Sequence, residues 1–522
     1  MYPAPNKPKH KVVCCACLVA VVLLSLLWQQ NPSLRLPSTL YTRSTTTTTT
    51  TLPRQEQKQH ALGGDGNVVV EKGNHPPSFE SMKGYARQID KTKHYDLCAV
   101  GAGLSGTVLA ERSAHLLGKT VLVLDARPHV GGNPATGVLM NLYGSHLFHT
   151  NIKRVWDYLQ ETTQLYPGTP LWKPWYHQKV GRINGTYVPI PPNIITVNTL
   201  FQANIQTPEE MQEWLKTVQI PCPADGCRNA EEMALSRVGQ GLYEAIFETY
   251  TIKQWNKSPR EMDASVTARI PVRDNFDPRY FSDKYQALPQ NGYTAWFQAV
   301  LKHPKIDVVL ETDFFEHLEH LEKHCQKIVY TGPIDRYFDA TRADELSSLL
   351  AANDSTKQKE RSTQQDQSQT SFVWPTEKLE YRSLQFEQER YYNHAGYVLP
   401  TPVLNLPGPE TPYTRAVEYK QYLHRGGKHS IVVRETSSDV GEPYYPVPTE
   451  RNLELYQQYK RLADALERTG RVRFVGRLAN YKYCTFCNKH EICGLHIPNV
   501  TISLSSFAFF TFRIRSQYGS SH

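Results

Sequence analysis

Apolar and polar positions along the middle of the chain follow an order that is typical of a parallel α/β unit. Short apolar runs at residues 95–100 and 119–125 flank residues 104–117, where apolar side chains recur at helical spacing. Short apolar runs predict buried strands, so this order predicts a strand, a helix and a second strand. Two later runs, residues 306–310 and 327–330, are predicted to return as strands to the same sheet.

The rest of the chain shows other patterns. Residues 171–188 alternate aromatic and polar side chains, which predicts paired strands, and residues 208–251 carry apolar residues at helical spacing. Two long polar stretches have too few apolar residues to bury a core. Residues 29–93, which include a threonine run, predict a disordered stem, and residues 341–376 predict an inserted surface loop.

The turn between the first predicted strand and the helix is rich in glycine. Gly101, Gly103 and Gly106 form a GxGxxG motif, and Asp125 ends the second predicted strand. Glycines here permit a tight turn and a close backbone approach, so a pyrophosphate can lie at the positive end of the helix. The carboxylate is placed to accept a ribose hydroxyl. Together these features predict a dinucleotide site.

A second glycine turn follows soon after Asp125. Arg127 comes first, and Gly131, Gly132 and Asn133 come next. The arrangement is similar to that of FAD-dependent amine oxidoreductases, in which the carboxylate binds the adenosine ribose and the glycine pair lets the backbone pass close to the flavin diphosphate. We therefore expect FAD in preference to NAD, with an ordinary glycine loop as the alternative.

Length and charge narrow the class of protein. At 522 residues the chain is long enough for two or three packed units, and 40% hydrophobic residues supply ample core. The net charge of +8, from 58 basic and 50 acidic residues, is not gathered in one long stripe, so nucleic-acid binding is not predicted. The 30 tyrosines suit a polar cleft for a sugar or nucleotide, although tyrosine is also a common strand residue.

The N-terminal residues predict where in the cell the protein is located. Residues 1–11 form a short basic tail, and residues 12–28 are an uncharged apolar run near the lower length limit for a transmembrane helix. No clear cleavage site follows, so an uncleaved signal anchor is expected in preference to a removed signal peptide. The basic tail predicts a single-pass type II membrane protein, with its catalytic part in the lumen of the Golgi or endoplasmic reticulum.

The cysteines do little to narrow the class of protein. Ten cysteines in this length do not predict a disulfide scaffold. Cys222 and Cys227 bracket a short turn, and a disulfide or two free thiols are equally compatible with that spacing. Cys484, Cys487 and His490 begin a cluster with the spacing of zinc ligands, but no second pair accompanies it. The sequence therefore predicts no metal site.

The most specific signal is a set of uncommon strings that occur in one order along the chain. They are, in turn, YGSHLFHT, YTIKQW, ARIPVR, YFSDKYQ, YTGPID, LEYRSL, PYTR, EPYYP and GRLANYKY. With these strings the chain resembles the UDP-galactopyranose mutase family, over residues from about 94 to 483 apart from the polar insert.

The resemblance implies a flavin enzyme without net redox change. Members of the family interconvert UDP-galactopyranose and UDP-galactofuranose, with N5 of reduced FAD as the nucleophile at the anomeric carbon. The expected partners are FAD, the two UDP sugars, and NADPH or NADH as the external reductant.

The resemblance also implies roles for individual residues of the matching strings. Arg269 and Arg415 are implied to bind the diphosphate, because guanidinium groups are permanently charged and hold phosphate oxygens in a fork. His146 and His149 are implied to lie beside the flavin, where a neutral imidazole would support chemistry at N5. Further implied contacts are Tyr250, Trp255, Tyr280, Tyr444, Tyr445 and Tyr483 at the substrate, with either Tyr444 or Tyr445 facing it, and Arg477 beside the flavin.

The family architecture is α/β: a Rossmann-like FAD-binding domain is interleaved with a small helical domain and a twisted antiparallel sheet. On this chain the FAD-binding parts are expected at about residues 94–165, 283–340 and 450–483. The helical part is expected at about 200–270, and the sheet at about 166–192 and 377–447.

The C-terminal tail departs from the family pattern. Relatives continue after the last matching string into a long helix beside the flavin, whereas residues 484–522 end in a strand-like stretch. Loss of that helix would weaken the flavin site. Two alternatives therefore stay open: a membrane-tethered nucleotide-sugar-binding protein with impaired catalysis, or another FAD-dependent enzyme of the amine-oxidoreductase type.

Overall fold

The structure, a computed structural model, describes residues 69–73, 84–136, 141–348, 374–482, 492–497 and 500–505. Contacts divide the chain after Gln57, and all of these residues belong to the second unit, Lys58–His522. Several sequence predictions fall outside the described residues: the basic tail and apolar run at residues 1–28, Tyr483, and the cluster that begins Cys484, Cys487 and His490.

The strands of the described residues are numbered in chain order. They are β1 (Val69–Gly73), β2 (Leu97–Val100), β3 (Val121–Asp125), β4 (Phe148–Thr150), β5 (Trp172–Pro174), β6 (Lys179–Ile183), β7 (Thr186–Ile190), β8 (Tyr285–Pro289), β9 (Ile306–Leu310), β10 (Ile328–Tyr330), β11 (Tyr381–Tyr392), β12 (Val403–Asn405), β13 (Arg415–Glu418), β14 (Ser430–Ser438), β15 (Tyr445–Pro446), β16 (Val472–Phe474), β17 (Ile492–Ile497) and β18 (Val500–Ser505).

The α-helices are numbered in the same way. They are α1 (Leu104–Leu117), α2 (Lys153–Leu165), α3 (Ile194–Phe201), α4 (Pro208–Val218), α5 (Ala230–Leu242), α6 (Thr249–Trp255), α7 (Ser265–Ala268), α8 (Tyr293–Val300), α9 (Leu318–His324), α10 (Ile334–Tyr337) and α11 (Glu450–Glu467). A π-helical turn, Tyr243–Glu248, joins α5 to α6.

A five-stranded parallel sheet carries the glycine turn. Its order is β16-β10-β2-β3-β9, and all four strand pairs are parallel. The strands predicted from the apolar runs are all present in it, and they read as unbroken apolar runs because both faces are covered. Since the strands are parallel, their carboxyl ends meet at one edge, which is where ligands bind in such sheets.

A larger, mostly antiparallel sheet combines strands from both halves of the chain. Its strand order is β1-β11-β14-β13-β12-β6-β7, with β15 paired to β11 off this path. The hairpin β6–β7 contains the paired strands predicted from the alternating pattern at residues 171–188. The valines at the centre of β12, β13 and β14 are fully buried and belong to the same core as α1 and the parallel sheet. The two sheets therefore share one hydrophobic core.

The helical segment predicted at residues 208–251 is present as α4, α5, the π-helical turn and α6. Thr207 caps α4 through a capping box with Glu210, and Pro208 occupies the first turn, where a missing N–H costs nothing. Met211 and Leu242 are fully buried between these helices and the hairpin β6–β7. The helices therefore have a core of their own.

The membrane prediction is corrected by the structure. Within the part of the chain that the structure describes, no helix is both long enough and apolar enough to cross a bilayer. The longest of these helices, α11, has 18 residues but is amphipathic, because it buries one face against the parallel sheet and carries charged residues on the other. The proposed type II placement in the Golgi or endoplasmic reticulum therefore does not stand.

Two stretches that the sequence predicts to be unstructured contain secondary structure. Within the predicted stem, β1 pairs antiparallel with β11, and the backbone of Ala86 accepts a hydrogen bond from Leu310. Within the predicted insert, helical structure continues to residue 348, where Leu346 is buried and Arg342 lies over the ring of Tyr337. Backbone pairing holds the first of these polar segments, and apolar and aromatic contacts hold the second.

The structure also decides the open question about cysteines. Cys222 and Cys227 form a disulfide, and a second one, which the sequence did not suggest, joins Cys98 of β2 to Cys325. Because Cys98 and Cys325 are 227 residues apart in the sequence, their proximity depends on the order of strands in the parallel sheet.

Candidate active site

The glycine turn connects β2 to α1 at the carboxyl edge of the parallel sheet. Gly101 has a φ of +109°, and a β-carbon at Gly106 would overlap the carbonyl oxygen of Gly101. Gly103 is the N-cap of α1, and no side chain caps that end of the helix. The first-turn N–H groups therefore have no side-chain partner from the cap, which is the arrangement that binds a phosphate at a helix N-terminus.

Asp125 and the second glycine turn lie against the first. The Asp125 carboxylate accepts backbone hydrogen bonds from Ala102 (2.8 Å) and Arg127 (2.9 Å) and is only 7% exposed. A β-carbon at Gly132 would lie 2.8 Å from Cα of Gly103, so this close approach of the two turns requires glycine at position 132. Arg127 also donates to Asn133, and Gly131 has a φ of +100°. All predicted cofactor residues of these turns are thus brought together.

Arg477 reaches the same edge of the sheet from the other side. It follows Gly476, whose added β-carbon would lie 3.0 Å from Oγ of Ser105 in the first glycine turn. Its guanidinium donates to the carbonyl oxygen of Tyr444 (3.4 Å) and lies 5.9 Å from the ring centre of Tyr445. Arg477 therefore stands between the glycine turn and the two tyrosines whose orientation the sequence left open.

The two tyrosines point in different directions. The ring of Tyr444 is buried and packs 5.7 Å from Tyr143, on the side of Arg127. The ring of Tyr445 lies 6.3 Å from Trp255 and is close enough to Arg415 to interact with its charge. Tyr445 is therefore the tyrosine on the Arg415 side.

Arg415 lies on the face of the antiparallel sheet that is turned toward the parallel sheet. Its Nε is 2.5 Å from Oε2 of Glu435, which is directly opposite on β14 and fully buried. Within the described part of the chain, the second oxygen of this carboxylate, Oε1, and the buried hydroxyl of Tyr419 have no hydrogen-bond partner. Buried polar atoms without partners are uncommon in proteins, and at a binding site they indicate a ligand.

The two predicted histidines lie between these groups. His149 is held by Asp283, with 2.9 Å from Nδ1 to the carboxylate, and stacks on Phe281. Nδ1 of His146 lies 3.0 Å from the carbonyl oxygen of Gly144 and must carry the hydrogen, since a carbonyl only accepts. Burial, together with the positive charges of Arg477 and Arg415, lowers the pKa of His146 from 6.5 to about 4. His146 is therefore neutral at physiological pH.

This lowered pKa makes stability depend on pH. Between pH 6.5 and about 4 the unfolded chain binds a proton at His146 that the folded protein does not. The free energy of unfolding should therefore fall as the pH falls through this window, by up to about 3 kcal/mol from this residue. His146→Gln should flatten the curve there, as measured by urea unfolding at several pH values.

The control for this measurement is His115→Gln, on the exposed end of α1. It also removes an imidazole but not the buried one. An equally steep loss of stability in His146→Gln and wild-type protein would contradict the assignment of a buried, neutral imidazole.

The remaining predicted substrate residues surround the Arg415 side. Tyr250 is half-buried on α6, and its hydroxyl interacts with the charge of Arg415. Trp255 is 3% exposed and packs behind Tyr445 with Met262. Arg269 is exposed at the end of α7, where its Nε donates to the carbonyl of Val266. The roles of these residues stay predictions.

Sequence reasoning missed four residues of the site. Glu435 of β14 and Lys179, the first residue of β6, are buried charged residues whose strands carry their other charge on the opposite face, and His177 precedes Lys179 by two positions. Asp283 lies inside the string YFSDKYQ, but nothing in the sequence indicated that its side chain contacts His149. A charged residue in a buried strand is the signal that could have found the first two.

The fold and the two glycine turns define a dinucleotide-binding α/β protein. A model for a NAD(P)-binding Rossmann-like domain matches residues 100–162, and a model for UDP-galactopyranose mutase matches residues 245–374 and 366–483. A probable UDP-galactopyranose mutase of Klebsiella pneumoniae is 31% identical over 401 residues, which are 74% of this chain and 90% of that protein. The chain belongs to the UDP-galactopyranose mutase family and is an isomerase.

Two further similarities bear on the fold and on the substrate. A dTDP-fucopyranose mutase of Escherichia coli is 29% identical over 77% of this chain and 98% of its own length. A crystal structure of reduced UDP-galactopyranose mutase superposes with a TM-score of 0.53 at 17% identity, over 74% of this chain and 91% of that chain. The shared α/β fold is thereby confirmed.

Proposed function

We propose that this protein interconverts UDP-galactopyranose and UDP-galactofuranose with FAD as its cofactor. The observation that supports this most strongly is the position of His146. Its imidazole interacts with the charge of Arg477, beside the glycine turn, and with that of Arg415, on the antiparallel sheet. Residues suited to a dinucleotide and residues suited to a diphosphate therefore belong to one site, as a reaction between a flavin and a nucleotide sugar requires.

The residues at the parallel sheet fit FAD. Gly103 and Gly132 have no side chains to keep a pyrophosphate away from the N-terminus of α1, and Asp125 is placed for the ribose. Arg477 would lie near the flavin, where a fixed positive charge favours the reduced, anionic form.

In this proposal the reduced flavin supplies the nucleophile for the anomeric carbon. Arg415 and Arg269 hold the diphosphate and stabilise the charge that develops on it when its bond to the anomeric carbon breaks. Neutral His146 donates through Nδ1 to the chain itself, so Nε2 is left as an acceptor that can position a donor group. Asp283 fixes the ring of His149.

The test uses the purified full-length chain. We expect bound flavin in the visible absorption spectrum and, after reduction with dithionite, formation of UDP-galactofuranose from UDP-galactopyranose, followed by chromatography. Since no net redox change occurs, turnover should continue without further consumption of reductant. NADPH and NADH are then compared in place of dithionite.

Three results would contradict the proposal in different ways. A protein that binds UDP without forming furanose after reduction would be a nucleotide-sugar-binding protein. A protein that consumes reductant in proportion to product would be an oxidoreductase. Preference for dTDP-fucopyranose would keep the reaction type but change the substrate, as the relative from E. coli suggests.

A further inference from the structure

Lys179 lies on the same face of the antiparallel sheet as Arg415. In the register of β6, β12 and β13, Arg415 is opposite Asn405, which is opposite Gly181. Lys179 is two residues before Gly181 on β6, and side chains two apart on a strand share a face. Lys179 is therefore one row away from Arg415, on the side of the sheet that faces the cofactor residues.

The charges on this face do not balance. Among the described residues, Glu435 is the only carboxylate that interacts strongly with Lys179 and Arg415, and its closest partner is Arg415, at 2.5 Å. Among the residues that the structure describes, Lys179 forms no salt bridge. Arg269 adds a third positive charge within electrostatic reach of Lys179. Two arginines and a lysine thus face one carboxylate.

Lys179 is nevertheless inside the protein. It is 8% exposed, and its Nζ lies 3.8 Å from the ring centre of Tyr280, a favourable contact for a cation. Burial lowers its pKa well below the usual value, and repulsion from Arg415 and Arg269 adds to the effect. A lysine held this way costs stability, which a negatively charged ligand would offset.

His177 supplies an independent indication of a ligand. It is 1% exposed, and neither ring nitrogen has a hydrogen-bond partner among the residues that the structure describes. Its ring lies 6.1 Å from that of Tyr280, and its charge would interact with Lys179 and Arg415. The ring nitrogens of this buried histidine lack hydrogen-bond partners among the described residues, and a buried lysine lies beside them. This arrangement indicates that a ligand supplies the missing hydrogen bonds.

We propose that Lys179 is a third diphosphate-binding cation of this site, acting with Arg415 and Arg269 and contacting a phosphate oxygen of the nucleotide sugar. The assignment rests on the proposed function, since it takes the nucleotide diphosphate as the ligand. An ammonium group binds phosphate as a compact charge, without the fixed fork of a guanidinium. Binding of the dianion should draw a proton onto Lys179.

The first experiment measures binding of UDP and of uridine by calorimetry to wild type, Lys179→Met and Lys179→Arg. Lys179→Met should weaken UDP binding about tenfold to a hundredfold. Binding of uridine, which has no phosphate, should not change. Lys179→Arg should keep most of the UDP affinity. The matched control is Lys173→Met, an exposed lysine on the neighbouring strand β5, which should behave as wild type.

Two further readouts separate binding from folding. Lys179→Met without UDP should melt at a higher temperature than wild type, since a buried polar amine, whose charged form is opposed by burial and by two arginines, is replaced by an apolar side chain. UDP binding should take up a proton in wild type but not in Lys179→Met, measured in buffers of different ionisation enthalpy at about pH 8. The groups that face Lys179 are Tyr280, Arg415, Glu435, Arg269 and His177, and histidine stays neutral at that pH.

The outcomes distinguish this inference from the proposed function. Unchanged UDP affinity in Lys179→Met, with furanose still formed by wild type, would overturn the role of Lys179 and leave the function standing. Weakened UDP binding without any furanose from wild type would support Lys179 and refute the isomerase reaction. Absence of UDP binding by wild-type protein would overturn both.

Discussion

Arg415→Met is expected to lower kcat/KM for UDP-galactopyranose by about a thousandfold, the largest effect of any side chain in the site. Arg415 is the cation that pairs with the buried Glu435 and interacts with both Tyr445 and Tyr250. A diphosphate leaving group needs a fixed positive charge, and methionine has none. Steady-state kinetics of the reduced enzyme measure the change.

A loss of stability must be separated from this loss of turnover. Removing Arg415 leaves Glu435 buried and unpaired, which should cost about 3 to 5 kcal/mol. The double variant Arg415→Met/Glu435→Gln removes both charges, so it should recover most of the stability but little of the turnover. Near-normal turnover in the double variant would refute the role given to Arg415.

The chain offers a matched control on the same strands. Arg434 of β14 pairs with the buried Glu389 of β11 at 2.9 Å, and this pair is remote from Arg415 because adjacent residues on a strand face opposite sides. Arg434→Met should lower stability in the same direction while the folded fraction keeps its turnover. Comparing Arg415→Met with Arg434→Met therefore shows whether turnover requires a positive charge at the position of Arg415 or only an intact ion pair in this sheet.

Gly103→Ala is expected to weaken FAD binding by about a hundredfold without unfolding the protein. An alanine β-carbon at this position would meet Cα of Gly132 at 3.7 Å, an ordinary contact, and the φ of −77° suits any residue. The protein itself therefore accepts alanine here, at a cost of about 1 kcal/mol for the changed helix cap. The alanine methyl group would, however, occupy the place of a pyrophosphate bound at the N-terminus of α1, so FAD binding should be weakened.

Flavin content after purification and titration of the apoprotein with FAD measure this effect. Gly426→Ala is the control, since this exposed glycine has open space around its added β-carbon and no positive φ. Gly106→Ala should differ from both by lowering the melting temperature as well, because its methyl group overlaps the carbonyl of Gly101. Unchanged FAD affinity in Gly103→Ala would place the cofactor away from this turn.

Local features of the nucleotide-binding unit could be predicted from the sequence. Helix α1 has the predicted bounds, Leu104–Leu117, and β9 matches its apolar run, residues 306–310. Such features depend on neighbours in the chain: the spacing of apolar residues sets the helix, and the glycines set the turn. Asp125 could be assigned for the same reason, because it ends the strand that follows.

Contacts between distant strands could not be predicted in this way. Glu435 meets Arg415 through the register of β13 and β14, and Lys179 shares their face because β6 pairs with β12. The membrane prediction rested on the apolar run at residues 12–28, and it is overturned by the finding that no helix in the described ranges has the properties of a span. A local pattern limits the structures that a segment can form, and contacts with distant segments select among them.

The sequence by itself therefore determined the parallel sheet, the glycine turn with its carboxylate and, through its uncommon strings, the family. The tertiary structure decided which of Tyr444 and Tyr445 stands beside Arg415, which carboxylate balances that arginine, and that Lys179 and His177 join it. The physical reason is that these groups lie far apart in the chain and meet only through strand order and register. Their charges act on one another only after burial has removed the water between them.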